Sequence, residues 1–287
     1  MLLILGLGYA GRAAARAAVA AGWRVAGTMR APRPEAAPEG VALLPFAEAA
    51  PAIAGATHLL VTAGPDAAGQ DPVLAAHGAA LAAAPKLRWV GYLSTTGVYG
   101  DRAGGWVEED TPPSPGQERS RRRLAVEEGW RRLAEERGLS LDLMRCAGIY
   151  GPGRSALDEL RAGRGRRVDR PGHFFSRIHA EDIARAVLAA AARPSPSPRV
   201  LHLADDLPAA NADVVAEAAR LLGQAPPPLI PFAEAEATMS PMGRGFWAEN
   251  RRIASARTQA RLGLLWRHPT YREGLRAVLR AEGAGTA

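Results

Sequence analysis

The sequence predicts an α/β protein with a doubly wound parallel sheet and a smaller C-terminal α/β unit. Three observations carry this. Apolar runs of strand length alternate with helical stretches from the N-terminus to about residue 147, and that order gives a parallel sheet with helices on both faces. Right-handed crossovers make double winding the default. The texture then changes beyond Gly151 to turns, a basic segment and a few helical stretches.

Met1 to Leu5 is an apolar strand, and Gly6-Leu7-Gly8-Tyr9-Ala10-Gly11 follows at once. Arg12 to Ala21 is helical and Gly22 stops it; Trp23 to Thr28 is the second strand. A Pro-rich loop, 31–40, leads to short strands at 41–45 and 57–62. Asp71 to Ala84 is helical, with Val73, Leu74, His77 and Leu81 at helical spacing. Leu87 to Ser94 is the next strand, and a charged helix runs from about Gln117 to Arg137. Its Val126, Trp130 and Leu133 form an apolar stripe, which is either core or a dimer seam. Leu139 to Ala147 is strand-like, 151–155 a turn, Ile178 to Ala192 a helix and Arg199 to Leu203 a strand. Asn211 is a candidate N-cap for a helix to Leu222, with Gly223 its stop. An irregular stretch begins at Pro226–Pro228, and the tail from Tyr271 to about Ala281 is helical.

Strand, glycine turn, helix, strand is the context a dinucleotide fingerprint requires. Gly6 allows a tight turn, Gly8 lets the backbone approach a pyrophosphate, and Gly11 lets helix and strand pack closely. The helix N-terminus offers N–H groups to the phosphates. Cofactor-binding positions are therefore expected at Gly6, Gly8, Tyr9, Ala10 and Gly11, and at the strand end Ala63-Gly64-Pro65. The second strand ends in Thr28-Met29-Arg30, with Arg33 nearby and no acidic residue before Glu35. An acidic residue there suits a ribose 2′-OH, whereas an arginine accommodates a 2′-phosphate. Arg30 accordingly selects NADP over NAD.

At 47% hydrophobic and 23% charged residues, composition is that of a globular protein. No uncharged apolar run reaches the roughly 18 residues a membrane span needs, and no signal peptide is read at the N-terminus. A single cysteine, Cys146, rules out an internal disulfide and fits a reducing cytoplasm. The net charge is +7, and all 36 basic residues but Lys86 are arginine. A pI near 10.4 invites a nucleic-acid reading. No zinc-finger spacing or basic-helix heptad accompanies it, and anionic small ligands account for the charge. No cluster has metal-ligand spacing, so no metal is expected.

Several segments together resemble the extended short-chain dehydrogenase/reductase family, the NAD(P)-dependent epimerase/dehydratase group, in its atypical branch. They are Gly6–Gly11, Ser94-Thr95-Thr96-Gly97-Val98-Tyr99-Gly100, Arg145 to Gly153, Arg177-Ile-His-Ala-Glu-Asp-Ile-Ala184, His202 to Asp206 and Tyr271 to Leu275. The resemblance implies a Rossmann-type dinucleotide domain, 1–150 plus about 176–204. It also implies a substrate domain, 151–175 plus about 205–287. A catalytic Ser/Thr, Tyr and Lys are implied too. Thr95 falls on the first position. The Tyr-x-x-x-Lys pair is absent, and Arg119 and Arg123 stand in its place.

That substitution changes the chemistry. A phenol near pKa ~10 needs a neighbouring cation to transfer protons near neutrality. Arginine, with pKa above ~12, cannot carry the proton, but its planar fork binds anions or orients a ribose. Tyr99 is then the first candidate proton carrier beside Thr95, with Tyr150 the other. Arg123 is expected at the cofactor, and Arg119, Tyr150, Arg154 and Arg177 at the substrate. The segment Arg161 to Arg170 is either a substrate contact or a solvated loop. His179 is read as orienting the Asp182 region, and Cys146 as a small buried residue. The expected function is an NAD(P)-dependent oxidoreductase or epimerase/dehydratase acting on a small polar, anionic substrate such as a sugar or nucleotide derivative. The alternative is a non-catalytic NADP-binding regulatory protein.

Overall fold

The computed structural model describes residues 1–284. The first elements are β1 (Leu2–Leu5), α1 (Tyr9–Ala20), β2 (Val25–Met29), β3 (Val41–Pro45), α2 (Ala50–Gly55) and β4 (His58–Val61). Next come α3 (Pro72–Ala83), β5 (Trp89–Thr95), β6 (Trp106–Val107), α4 (Glu118–Arg137), β7 (Ser140–Cys146) and β8 (Gly148–Tyr150). Then follow α5 (Ala156–Arg161), β9 (Arg167–Asp169), β10 (Arg177–His179), α6 (Ala180–Ala191), β11 (Arg199–Leu203) and α7 (Asn211–Leu221). The chain continues through β12 (Leu229–Pro231), α8 (Phe232–Ala237), α9 (Pro241–Trp247), β13 (Arg252–Ile253), α10 (Ala256–Leu262) and α11 (Tyr271–Ala284).

Seven strands form one parallel sheet in the order β11-β7-β5-β4-β1-β2-β3. The chain winds one way from β1 through β3 and the other way from β4 onward. The order therefore reverses between β1 and β4, where Leu5 pairs with Val61. A ligand crevice opens beyond the carboxyl ends of strands at such a reversal.

Both faces of the sheet are covered, so β1 is apolar throughout and its four residues are fully buried. Alternation sends Leu2 and Ile4 into one core, with α1 and α6, and Leu3 and Leu5 into the other, with α3 and α4. Each such side chain contributes roughly 1.5–3 kcal/mol by its burial.

The stripe on α4 is spent inside the protomer rather than at a seam. Val126 and Trp130 are buried in the second core, and Trp130 Nε1 donates to Asp71 Oδ2 at 3.0 Å. Asp71 also caps α3 by accepting from the backbone N–H of Val73 and Leu74.

A third core joins α5, α7 and α11 through Leu157, Val215 and Leu275. This is the smaller unit. The division at residue 205 needs correction, because Leu262 and Trp266 are buried in the core formed by β1, α1 and α6. β13 likewise pairs with β6 of the first half. Asn211 is the first residue of α7 rather than its cap; its Oδ1 accepts from the Val168 N–H at 2.8 Å. The stretch expected to be irregular after Pro228 contains β12, α8 and α9.

Candidate active site

The turn after β1 is locked by hydroxyls. Thr28 Oγ1 accepts from the Gly6 N–H at 3.2 Å, and Thr62 Oγ1 donates to the Gly6 carbonyl. Gly6 has φ +109°, a backbone conformation open to glycine. A Cβ on Gly11 would lie 2.4 Å from the Gly6 carbonyl oxygen, so α1 can pack against the turn only without one. Gly8, the N-cap of α1, faces open space, and no side chain caps it. The first N–H groups of α1 therefore keep their capacity for an anion.

Above this turn lies a cleft of about 890 Å³. Gly6, Gly8, Ala63, Gly64 and Pro65 line it, together with Arg12, Arg30 and Arg33. Three arginines against the single carboxylate of Asp66 give the lining a cationic character. A dinucleotide fits the space left above Gly8 and the charge around it. Two expected contacts fall elsewhere. Tyr9 turns away, and its hydroxyl donates to the Pro152 carbonyl at 3.0 Å. Ala10 packs against the first core.

A second cavity opens beyond the ends of β5 and β7. Its larger part, about 420 Å³, is lined by Thr95, Cys146, Tyr150 and Arg177, with aromatic walls from Phe174, Phe175, Phe246 and Trp247. Its smaller part, about 210 Å³, adds Arg119, Ser120 and Arg123; Thr95, Phe246, Glu249 and Arg251 line both. Thr95 Oγ1 accepts from the Gly97 N–H at 3.1 Å, which leaves its O–H free to donate. Arg123 stands against Gly64 of the first cleft. Its Nη1 donates to the Leu93 carbonyl at 2.8 Å, and a Cβ on Gly64 would fall 2.5 Å from its Nη2.

Arg177 Nη1 donates to the Phe175 and Ala209 carbonyls at 2.9 and 3.1 Å. Arg154 lines neither part; its guanidinium lies over the Tyr9 ring, 5.6 Å from the centroid. Glu249 and Arg251 join the site without a sequence forecast. They follow α9 and reach it through tertiary packing, with Arg251 Nη1 donating to Glu249 Oε2 at 2.7 Å and to the Gly100 carbonyl at 2.8 Å.

Tyr99 is not at the cavity. It is fully buried, its hydroxyl meets His202 Nε2 at 2.5 Å, and Arg145 lies over its ring. Burial pushes its phenol up to about 12. The Val-Tyr-Gly tyrosine is a packing residue here, and the proton-carrier assignment is corrected on that geometry. Tyr150 does line the cavity, but burial, reinforced by Asp205 and Asp182, raises its phenol far above the usual range. Cys146 is buried and held up at about 12, as a structural thiol would be.

His179 caps α6, with Nδ1 accepting from the Glu181 N–H at 3.2 Å. Asp182 accepts from the backbone N–H of Arg267 and His268 at 2.7 and 2.9 Å, which ties α6 to the C-terminal segment. Tertiary packing also assembles a group that spacing did not reveal. Among the described residues, ligand atoms of His179, Glu181 and His268 lie within 4.8 Å of one another. His179 Nδ1 already accepts a backbone N–H, and His268 Nε2 pairs with Glu181 Oε2 at 2.9 Å.

Residues 2–204 match the NAD dependent epimerase/dehydratase family, and the chain belongs to it. Its fold is that of the family's NAD(P)-binding oxidoreductases. A functionally unknown conserved protein from Silicibacter pomeroyi DSS is 43% identical over 98% of both chains, with a TM-score of 0.88. MoeE5 in complex with UDP-glucuronic acid and NAD shares 19% identity over 99% of both chains, with a TM-score of 0.80, and shows the fold alone. A 3-diazoavenalumate denitrifying reductase from a Streptomyces species is 31% identical over 186 residues, 59% of this chain and 58% of the relative. The chain spans about half the length of the curated relatives it matches.

Proposed function

We propose that the protein is an NADP-preferring oxidoreductase acting on a small polar, anionic substrate. The observation that carries the cofactor choice is the pair Arg30 and Arg33 lining the cleft at the end of β2, where no acidic residue stands. In this reading the Gly6–Gly11 turn and the α1 N-terminus hold the pyrophosphate, and Arg30 holds the 2′-phosphate. Bound cofactor supplies hydride chemistry at its nicotinamide. Thr95 donates its free O–H to a substrate oxygen, and the arginines of the second cavity hold the substrate's charge. The lone, buried Cys146 agrees with a reducing compartment such as the cytoplasm.

The test is equilibrium titration of wild type and Arg30→Ala with NADPH and NADH at two salt concentrations. NADPH should bind more tightly, and increasingly so at low salt. Arg30→Ala should weaken NADPH about tenfold, the scale of one charge-assisted bond, and leave NADH within about twofold. Equal affinity for the two cofactors in wild type refutes the preference.

A second reading is favoured by the arginines at the Tyr-x-x-x-Lys positions and by the burial of Tyr150, the one tyrosine lining the cavity among the described residues: a cofactor-binding regulator without turnover. It predicts NADPH-dependent binding of a protein partner. Reproducible turnover abolished by Thr95→Val removes it.

A further inference from the structure

Arg119, Arg123 and Arg251 meet in the smaller, 210 Å³ part of the second cavity. Arg119 and Arg123 are one helical turn apart on α4, and Arg251 approaches from the segment before β13. Thr95, Ser120 and Glu249 complete the polar lining. We propose that this chamber binds the anionic head group of the substrate, a carboxylate or a phosphate, while the substrate's body extends along the aromatic walls of the larger part. The proposal rests on the reading that the second cavity takes the substrate.

Charge is the first argument. Three guanidinium groups face one carboxylate, and Glu249 is already engaged by Arg251. Among the described residues no carboxylate lies within ion-pairing distance of Arg119 or Arg123, although the neighbouring Arg121 and Arg122 both pair with Glu118. Preorganisation is the second. Arg123 is fixed by the Leu93 carbonyl and Arg251 by the Gly100 carbonyl, and Arg119 lies over Phe246 at 4.3 Å. Rotamers held in place before binding cost little entropy when a ligand arrives, and planar forks match carboxylate and phosphate oxygens. Donor capacity is the third: Arg123 and Arg251 each hydrogen-bond within the protein through Nη1, which leaves their Nη2 groups to a ligand. Size is the fourth. The chamber is smaller than the roughly 300–1,000 Å³ of pockets that take whole ligands, so it suits a head group.

The test is calorimetric titration of the full chain with inorganic phosphate and with benzoate, at constant ionic strength balanced by chloride. It is run on cofactor-free and on NADPH-loaded protein, for wild type and Arg119→Ala. Arg119 is exposed, so its truncation spares the fold, and thermal unfolding of the variant checks this. The expected result is saturable binding that persists with NADPH present and that Arg119→Ala weakens about tenfold or more. Tighter phosphate identifies a phosphoester head group, and tighter benzoate a carboxylate. The proposal is overturned by no saturable binding of either probe, by equal affinity in the variant, or by displacement of the anion by NADPH, which would place it in the dinucleotide cleft. Failure of NADPH itself to bind removes the cofactor reading; the Arg119→Ala comparison still decides this one.

Discussion

Removing the Glu127 carboxylate should cost this protein more than most single substitutions. Glu127 on α4 is fully buried and accepts three hydrogen bonds: from Ser94 Oγ on β5 at 2.5 Å, and from Arg145 Nε and Nη2 on β7 at 3.1 and 2.6 Å. The Arg145 side chain is only 2% exposed. Glu127→Ala leaves that guanidinium charged, desolvated and without its counterion. Breaking such a pair from one side costs about 3–5 kcal/mol. For a chain of this size about 2–4 °C is lost per kcal/mol, so the melting temperature should fall by about 6–20 °C. Thermal and urea unfolding followed by circular dichroism would measure it. The double variant Glu127→Ala/Arg145→Met removes both charges and should recover most of the loss, because the isolated charge rather than the missing attraction dominates. A single variant within about 1 kcal/mol of wild type would refute the reasoning, as would a double variant no more stable than the single.

Two further outcomes follow from the same geometry. Gly11→Ala puts a Cβ 2.4 Å from the Gly6 carbonyl oxygen, so the turn must move. NADPH affinity should fall beyond about tenfold, with about 1–3 kcal/mol lost in urea unfolding, and unchanged affinity would count against the pyrophosphate assignment. His179 is held down at about 4 by burial and by His268, from an ordinary 6.5. The unfolded chain therefore binds more protons between those values, and stability drains as pH falls from 6.5 toward 4, by at most about 1.4 kcal/mol per pH unit for this group. His179→Gln should flatten that slope in urea unfolding at pH 4.5–6.5; parallel slopes would show that His179 does not contribute.

The central sheet was legible because its strands are buried on both faces and read as apolar runs, and because glycines punctuate the turns. The glycine turn and the cleft above it were legible for a related reason: Gly6, Gly8 and Gly11 set the backbone path within one stretch of chain. Side-chain direction was not. Tyr9 and Ala10 lie inside the fingerprint, yet α1 begins there and its first turn aims them away from the cleft. Tyr99 sits four residues after Thr95, but the turn at 96–99 swings its ring into the core beside His202. The second cavity was least legible, since Glu249 and Arg251 come from a stretch with no periodicity and reach Thr95 only through tertiary packing.

The face of α4 ties these observations together. Arg119, Arg123 and Glu127 recur every four residues and descend from the exposed mouth of the cavity to the fully buried core. In the family that the chain resembles, the first two positions would carry Tyr and Lys. Here α4 delivers two guanidinium groups to the second cavity, anchored from below by the Glu127–Arg145–Ser94 bonds that fix it to β5 and β7. Those bonds hold α4 against the strands that carry Thr95 and Cys146. A phenol–ammonium pair moves protons; a guanidinium pair recognises charge and holds it still. In the reading proposed above, this helix orients an anion beside the cleft at Gly6–Gly11, and any proton the reaction needs comes from a group other than the helix pair.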